Sequence, residues 1–218
     1  MGHDLAAGEA AMTLSLAARA YLLGCDSDGG RVRRRGDAAL FVRAAALTDL
    51  LLRGRLRVAG GRVSASGAGP TGDLLLDDVL AGLADEGPTR WKRLLRQGSA
   101  DTLHSLEQQL VAAGVLHSRV TPLWRRTVVR LAERAPADAV RATVDNALTA
   151  PLSEVDARAA ALTALAAATR IGFTRRSARR HADRLRALDE VAGSVVPEVR
   201  AVVRGLRRRR TALIASSS

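Results

Sequence analysis

Residues 37–53 read DAALFVRAAALTDLLLR, and their apolar side chains recur at the spacing of an α-helix. Side chains three and four positions apart share one helix face, so the segment carries a continuous apolar stripe. The stripe consists of Leu40, Ala44, Leu47 and Leu51. Asp37 is placed to cap the N-terminus of the helix and Gly54 to end it. The segment therefore predicts a helix that packs by this stripe on the rest of the chain.

A second helix and a basic loop are predicted before this segment. Leu14 to Leu23 has apolar side chains at helical spacing, and Gly24 follows as a helix end. Residues 24–36 then contain four glycines and a run of arginines, namely Arg31, Arg33, Arg34 and Arg35. This composition is typical of a turn or short polar strand with solvated charges.

Two β-hairpins are predicted after the segment. Residues 55–66 alternate polar and apolar side chains on either side of a glycine turn, with Leu56 and Val58 facing Val63 and Ala65. Residues 115–131 contain β-branched runs on both sides of a proline. The tip of this second hairpin holds Leu123, Trp124, Arg125 and Arg126.

The other segments predict helices, with Thr71 or Asp73 as the N-cap of the first. Their ranges are 70–87, 88–98, 99–114, 136–149, 153–171, 174–190 and 196–214. The expected fold is mainly α, a single-domain helical bundle surrounded by amphipathic helices, with one or two short β-hairpins. We expect a flexible segment over 1–13, the domain over 14–214 and a disordered tail over 215–218.

Composition excludes several protein classes. The chain has 218 residues, 47% of them hydrophobic, a net charge of +12 and one cysteine. A lone Cys25 rules out a disulfide framework and multi-cysteine metal sites, and it is expected to be a small buried side chain. No window is long and apolar enough for a membrane-spanning helix, so the sequence predicts a soluble or peripheral protein of the cytoplasm.

The sequence offers no set of residues suited to catalysis. The histidines, His3, His104, His117 and His181, lie in unrelated segments without a partner at motif spacing. Phosphate-loop, dinucleotide and nucleophile-elbow motifs are absent. Asp73, Asp77 and Asp78 fall where a helix begins, which favours capping over metal binding. We predict that the protein is not an enzyme and that it uses no cofactor or metal.

Charge points to an anionic partner. Thirteen arginines and four acidic residues lie between Arg170 and Arg210. An anionic membrane and a nucleic acid both attract such a surface. Trp124 leaves three interpretations open, because its indole could enter the lipid interface, stack on a base or fold back onto the core.

Arg43 lies on the apolar side of its helix, since Leu40 precedes it by three residues and Leu47 follows by four. An arginine in this position needs a defined anionic partner. An internal salt bridge with Asp49 or Asp73 and an external anion held near Arg33 to Arg35 are both open. The planar guanidinium suits bidentate binding of phosphate.

Several segments, in this order and spacing, resemble the Golgi phosphoprotein 3 family, including its bacterial members. The segments are LSLAARAYLLGCD, FVRAAALTDLLLRGRLRV, PTGDLLLDDVLAGL, RWKRLLRQGS, LVAAGVL and LTALAAATRIG. The resemblance covers about Leu14 to Gly205, and the TGDLLLD and LLLRGRL stretches are its most specific parts.

The resemblance implies a mostly helical domain that binds phosphatidylinositol 4-phosphate on a basic face and places an apolar hairpin at the membrane. In eukaryotic members it also implies binding to the cytoplasmic tails of Golgi glycosyltransferases. The family's headgroup arginine falls on Arg43, and its membrane hairpin falls on about His117 to Val128. A family tryptophan falls near Arg34, and two family arginines fall near Ala100 and Leu103, so half of that lipid site is missing here.

We therefore predict a peripheral adaptor at the inner face of a membrane, bound to anionic phospholipid and open to oligomerisation or to cytoplasmic tails of membrane proteins. The expected headgroup residues are Arg43, Arg33, Arg34 and Arg35, and the expected membrane hairpin residues are Leu123, Trp124, Arg125 and Arg126. The alternative is a nucleic-acid-binding regulator, in which the helix Leu103 to Ala113 and the following hairpin act as a helix and wing.

Overall fold

The computed structural model describes residues 14–26, 30–121, 126–193 and 196–215. The predicted fold class is confirmed, because these residues form ten α-helices, a 3-10 turn and two small antiparallel sheets. The helices are α1 Leu16–Gly24, α2 Arg35–Leu52, α3 Leu74–Glu86, α4 Trp91–Arg96, α5 Ser99–Ala112, α6 Ala135–Thr149, α7 Ala157–Thr169, α8 Arg175–Arg180, α9 Ala182–Val191 and α10 Val196–Ala215. The strands are β1 Leu56–Ala59, β2 Arg62–Ala65, β3 Thr89–Arg90, β4 Leu116–Thr121 and β5 Arg126–Leu131.

Helix α2 forms the centre of the fold. It packs against α1, α3, α5, α7 and α10, and its middle is buried on almost every side. The predicted stripe is therefore only part of its buried surface, which extends to Phe41, Val42 and Leu50. A helix that is apolar all round belongs in a core rather than at a surface. The alanines of α2 and α7 are small enough to let the two helices pack closely.

Asp49 is the buried anion in this helix, with a fully covered side chain. Its carboxylate accepts the backbone N–H of Leu16 at 2.9 Å, at the start of α1. It also accepts hydrogen bonds from the guanidinium group of Arg53 at 3.0 Å and from that of Arg158, in α7, at 2.8 Å. A carboxylate is stable inside a protein when hydrogen bonds and counter-charges replace its water. Asp49 thereby links α1, α2 and α7.

Aspartate side chains cap the starts of α3 and α7, but not the start of α2. Asp73 caps α3 as predicted, accepting the backbone N–H groups of Leu75 at 2.9 Å and Leu76 at 3.3 Å. The prediction for Asp37 is wrong, because α2 already begins at Arg35 and Asp37 lies in its first turn. There its negative charge interacts favourably with the positive end of the helix dipole, and its carboxylate pairs with Arg34. Asp156 caps α7, which shortens the helix predicted over 153–171.

Both predicted hairpins are confirmed. Leu56 pairs with Ala65 and Val58 with Val63, as the alternation indicates. In the second hairpin, Leu116 pairs with Leu131 and Thr121 with Arg126. Its tip residues Leu123, Trp124 and Arg125 lie outside the described residues, and Arg126 is described only through its backbone in β5.

Two helix predictions need correction. Residues Thr89 and Arg90 form β3 rather than helix, because their backbone completes the hydrogen bonding of the β2 edge opposite Val63 and Arg62. The helix predicted over 174–190 is divided at His181 into α8 and α9. At His181 the backbone departs from helical dihedral angles, with φ of −98° and ψ of 21°. No described helix is both long and apolar enough to span a membrane.

Replacing Asp49 with alanine should lower the free energy of unfolding by about 3 kcal/mol, because Leu16 N–H loses its acceptor and two guanidinium groups lose their counter-charge. Urea unfolding followed by circular dichroism measures the change. Asp145→Ala, at an exposed site on α6, is the matched control and should stay within about 0.5 kcal/mol of the parent. Equal stabilities of the two variants would contradict the assigned role of Asp49.

Candidate functional site

Arg43 extends from the middle of α2 to the junction of α4 and α5. Its Nε donates to the Leu94 carbonyl oxygen and its Nη1 to Thr102 Oγ1, each at 3.1 Å. The Thr102 hydroxyl in turn donates to the Gly98 carbonyl oxygen at 2.7 Å. Gly98 has a φ of +70°, a conformation that favours glycine, and it lies beside the guanidinium. Arg43 thus fixes the α4–α5 turn onto α2.

Arg43 has no carboxylate within ion-pair distance among the residues that the structure describes. The internal salt bridge is therefore the wrong alternative: Asp49 pairs with Arg53 and Arg158, and Asp73 caps α3. Burial lowers the pKa of Arg43, while Glu86 and Asp101 act in the opposite direction. The guanidinium remains a cation, and its Nη2 has no acceptor among the described residues.

Beside Arg43 lies a cavity of about 330 Å³ between α3, α4 and α5. Three acidic side chains line it together with the guanidinium, namely Asp78, Glu86 and Asp101. Glu86 is already engaged by Gln97 at 2.6 Å and Arg93 at 3.6 Å. Thr102 and Ser105 add hydroxyl groups. The Arg43 cavity can thus both donate to a phosphate and accept hydroxyl protons.

A cluster of exposed cations adjoins this cavity. Arg90, Lys92, Arg93 and Arg96 line a depression of about 470 Å³, and Gln97 borders both this depression and the Arg43 cavity. We call these four residues the β3–α4 basic surface. Trp91, Leu94 and Leu95 are buried on the other side of α4, which leaves the charged side chains facing solvent. Sequence analysis missed this surface, although the charges of RWKRLLR and its buried Trp and Leu positions carry the signal.

Arg33, Arg34 and Arg35 lie elsewhere and each has a carboxylate partner. Arg33 pairs with Asp26 at 2.8 Å, and Arg34 pairs with Asp37. Arg35 binds both oxygens of Glu107 at 2.8 Å. Arg35 stands two helix turns before Arg43, about 12 Å along α2. We call the loop of residues 31–35 the arginine loop. The structure therefore does not bring the arginine loop together with Arg43.

The arginine loop instead approaches the second hairpin. Arg31 and Arg35 line a cavity of about 830 Å³ with Ser118, Val128 and Val129 of β4 and β5. The hairpin tip that sequence analysis assigns to the membrane lies outside the described residues. The prediction that Leu123 and Trp124 enter a membrane thus stays a prediction.

Glu107 organises a buried network beneath this loop. Besides Arg35, it accepts the hydroxyl of Tyr21 at 3.0 Å. Burial, followed by the charge of Glu107, raises the pKa of Tyr21 above its usual range. Cys25 is free and buried nearby, as expected from the sequence, and burial raises the pKa of its thiol to about 12. These groups hydrogen-bond within the core, where the Cys25 thiol also donates to the Tyr21 carbonyl oxygen at 3.5 Å.

The sequence matches the family model of Golgi phosphoprotein 3 (GPP34) over residues 16–206. The chain belongs to the Golgi phosphoprotein 3 family. A comparison with the curated proteins gives no match.

The two family arginines expected near positions 100 and 103 are replaced here by Ala100 and Leu103. The surroundings of these two residues differ. Ala100 is exposed at the start of α5, and Leu103 is buried against the core. Leu103 itself therefore contributes to the core and not to a ligand site in this packing. The β3–α4 basic surface lies next to the same turn and supplies cations there. In the described part of the chain, no group of three His, Cys, Asp or Glu side chains is arranged to hold a metal ion.

The Cys25 thiol should make stability fall at alkaline pH. Its folded pKa is raised to about 12, so the unfolded chain loses this proton first and unfolding becomes easier as pH rises. Between pH 8 and about pH 10.5 the thiol should remove about 2 kcal/mol of the free energy of unfolding. Denaturant titrations of the parent and Cys25→Ala at both pH values isolate this contribution. Parallel losses in both proteins would contradict it.

Proposed function

We propose that this family member is a peripheral membrane adaptor that binds phosphoinositide headgroups, or other anionic phospholipids, at the Arg43 cavity and the β3–α4 basic surface. The observation that carries the proposal is the cavity itself. It places a guanidinium with a free donor next to carboxylates and hydroxyls, beside four exposed cations. The family membership supports the same class of function.

Phosphate would be held by cations from two sides. Arg43 has Nη2 available for a charge-assisted hydrogen bond, and a guanidinium anchored at Nε and Nη1 loses little freedom on binding. Lys92 and Arg96 have no carboxylate within ion-pair distance among the described residues. Each basic side chain near an anionic membrane surface contributes about 1 kcal/mol. Several together give reversible binding.

The acidic side chains of the cavity favour a headgroup with hydroxyl donors. Asp78 and Asp101 would repel a bare phosphate, but they can accept hydrogen bonds from the hydroxyls of an inositol ring. Ser105 can add a hydrogen bond of either direction, whereas the Thr102 hydroxyl already donates to the Gly98 carbonyl oxygen. A phosphorylated inositol offers acceptors to Arg43 and donors to the carboxylates at once. This pairing supports a phosphoinositide over a lipid whose headgroup is phosphate alone.

The hairpin is assigned a second, shallower role. An indole at Trp124 beside Leu123 suits the lipid interface, while Arg125 and Arg126 suit neighbouring headgroups. A protein held this way at the cytoplasmic face of a membrane can present its other surfaces to cytoplasmic tails of membrane proteins. The proposed role is that of an adaptor without catalytic chemistry.

The nucleic-acid alternative finds less support. Helix α5 contains no arginine or lysine, and its leucines Leu103, Leu106 and Leu110 are buried. A recognition helix without cations would make few contacts to phosphate.

Removing two charges from the β3–α4 basic surface should weaken binding to vesicles that contain phosphatidylinositol 4-phosphate. Lys92→Ala/Arg96→Ala should lower the partition coefficient about 30-fold in co-flotation at physiological salt, the loss of about 2 kcal/mol. Arg176→Ala/Arg180→Ala on α8 is the matched control, with equal charge and the same i, i+4 spacing. It should change the coefficient less than about threefold.

Equal losses in the two double variants would mean that net charge, not a site, attracts the lipid. Release of the protein from vesicles by duplex DNA, with tighter binding to the DNA, would favour the nucleic-acid alternative instead.

A further inference from the structure

A second basic concavity lies at the other end of the chain, between the end of α7 and helices α8, α9 and α10. It encloses about 520 Å³. Its described lining contains no acidic side chain and seven arginines, which are Arg170, Arg175, Arg179, Arg186, Arg200, Arg204 and Arg208. We call it the arginine cleft. It shares no lining residue with the Arg43 cavity or the β3–α4 basic surface.

Five of the arginines lie in two rows, one on α10 and one on α8. Arg200, Arg204 and Arg208 recur every four residues on α10, so successive members are about 6 Å apart along the axis. Arg175 and Arg179 have the same spacing on α8. The lining between the rows includes small side chains, those of Ala167, Ala168, Ala178 and Ala182. Because these side chains are short, the space between the rows stays open.

Two of these arginines are paired with a carboxylate. Arg200 binds Asp189 at 2.7 Å and both side chains are largely buried, while Arg186 pairs with Asp183. In the described ranges, Arg175, Arg179, Arg204 and Arg208 have no carboxylate within ion-pair distance. Burial lowers the pKa of Arg200, and the charge of Arg204 lowers it further. Like charges gathered in a concave space repel one another unless an anion enters.

The volume of the cleft and its seven lining arginines favour a compact ligand with several charges. A single phosphate can contact only a few of the seven guanidinium groups, whereas a chain or ring of phosphates offers contacts to more of them. Guanidinium groups bind phosphate oxygens through paired N–H donors, which gives such a ligand several bidentate contacts. The convex backbone of a duplex would contact the rim and leave the interior unfilled.

We propose that the arginine cleft binds a ligand that carries several phosphate groups close together. Two sources share this chemistry: the headgroup of a polyphosphorylated lipid, and a free soluble polyphosphate. The cleft is a site in addition to the one under the proposed function and does not depend on it.

Calorimetric titration of the full chain with sodium tripolyphosphate tests the proposal, with orthophosphate as the single-phosphate comparison. Tripolyphosphate should bind at least tenfold more tightly than orthophosphate. Arg175→Ala/Arg179→Ala should weaken tripolyphosphate binding at least tenfold. Arg176→Ala/Arg180→Ala removes the same charge from the same short helix, at exposed positions outside the lining, and should stay within about twofold of the parent.

Vesicles with phosphatidylinositol 4,5-bisphosphate separate the two sources. Vesicle binding that falls in the Arg175/Arg179 variant but not in the Arg176/Arg180 variant would assign the cleft to a lipid headgroup. Unchanged vesicle binding together with lost tripolyphosphate binding would assign it to a soluble ligand. Both outcomes support the cleft as a polyphosphate site.

Three results would overturn the proposal. The first is equal loss of tripolyphosphate binding in the two double variants. The second is absence of binding to both tripolyphosphate and the bisphosphate vesicles. The third is tighter binding of duplex DNA than of tripolyphosphate, with both lost in the Arg175/Arg179 variant. None of these three results depends on the vesicle binding of the Lys92→Ala/Arg96→Ala variant. A failure of the cleft proposal can therefore be told apart from a failure of the proposed membrane role.

Discussion

A buried carboxylate in the central helix sets the arrangement of the whole domain. Asp49 accepts the amide N–H of Leu16 at the start of α1 and binds the guanidinium groups of Arg53, just after α2, and of Arg158 in α7. Because α2 is apolar on nearly every face, other helices must cover it, and Asp49 determines which helix ends meet there. Once α2 is fixed, Arg35 and Arg43 take up separate positions along α5, one at Glu107 and one at Thr102.

This division explains which arginines are available to a ligand. The three arginines at the start of α2 are each paired with a carboxylate, so they contribute little field to solvent. Arg43 bonds to a carbonyl and a hydroxyl instead, and keeps a donor for an outside anion. The exposed cations of β3 and α4, and those of α8 and α10, add two separate regions of positive potential. The net charge of +12 is therefore organised in patches.

Local patterns in the sequence predict much of this fold. The alternation of residues 55–66 predicts the register of the first hairpin, and Asp73 caps α3 as its position suggests. The apolar stripe on α2 underestimates its burial, since a stripe cannot show how many neighbours cover a helix. The sequence around Thr89 does not predict a strand, because this strand forms only by pairing with Val63, 26 residues earlier.

The site was harder to predict for the same reason. Arg43 stands out in the sequence because it interrupts an apolar face, and the structure gives it a polar role at a helix junction. Its grouping with Arg33 to Arg35 does not follow, because Asp26 and Asp37 pair locally with Arg33 and Arg34, and Glu107 pairs with Arg35 from a distant part of the chain. The β3–α4 basic surface forms beside Arg43 only after the α4–α5 turn folds back onto α2.

The central claim is that phosphoinositide membranes are bound at the Arg43 cavity and the β3–α4 basic surface. Hydrogen–deuterium exchange of the full chain, with and without vesicles that contain phosphatidylinositol 4-phosphate, tests it most directly. The account predicts slowed exchange over Thr89 to Thr102, which spans the basic surface and the turn held by Arg43. Slowed exchange confined to α8 and α10, or no change anywhere at full vesicle occupancy, would contradict it.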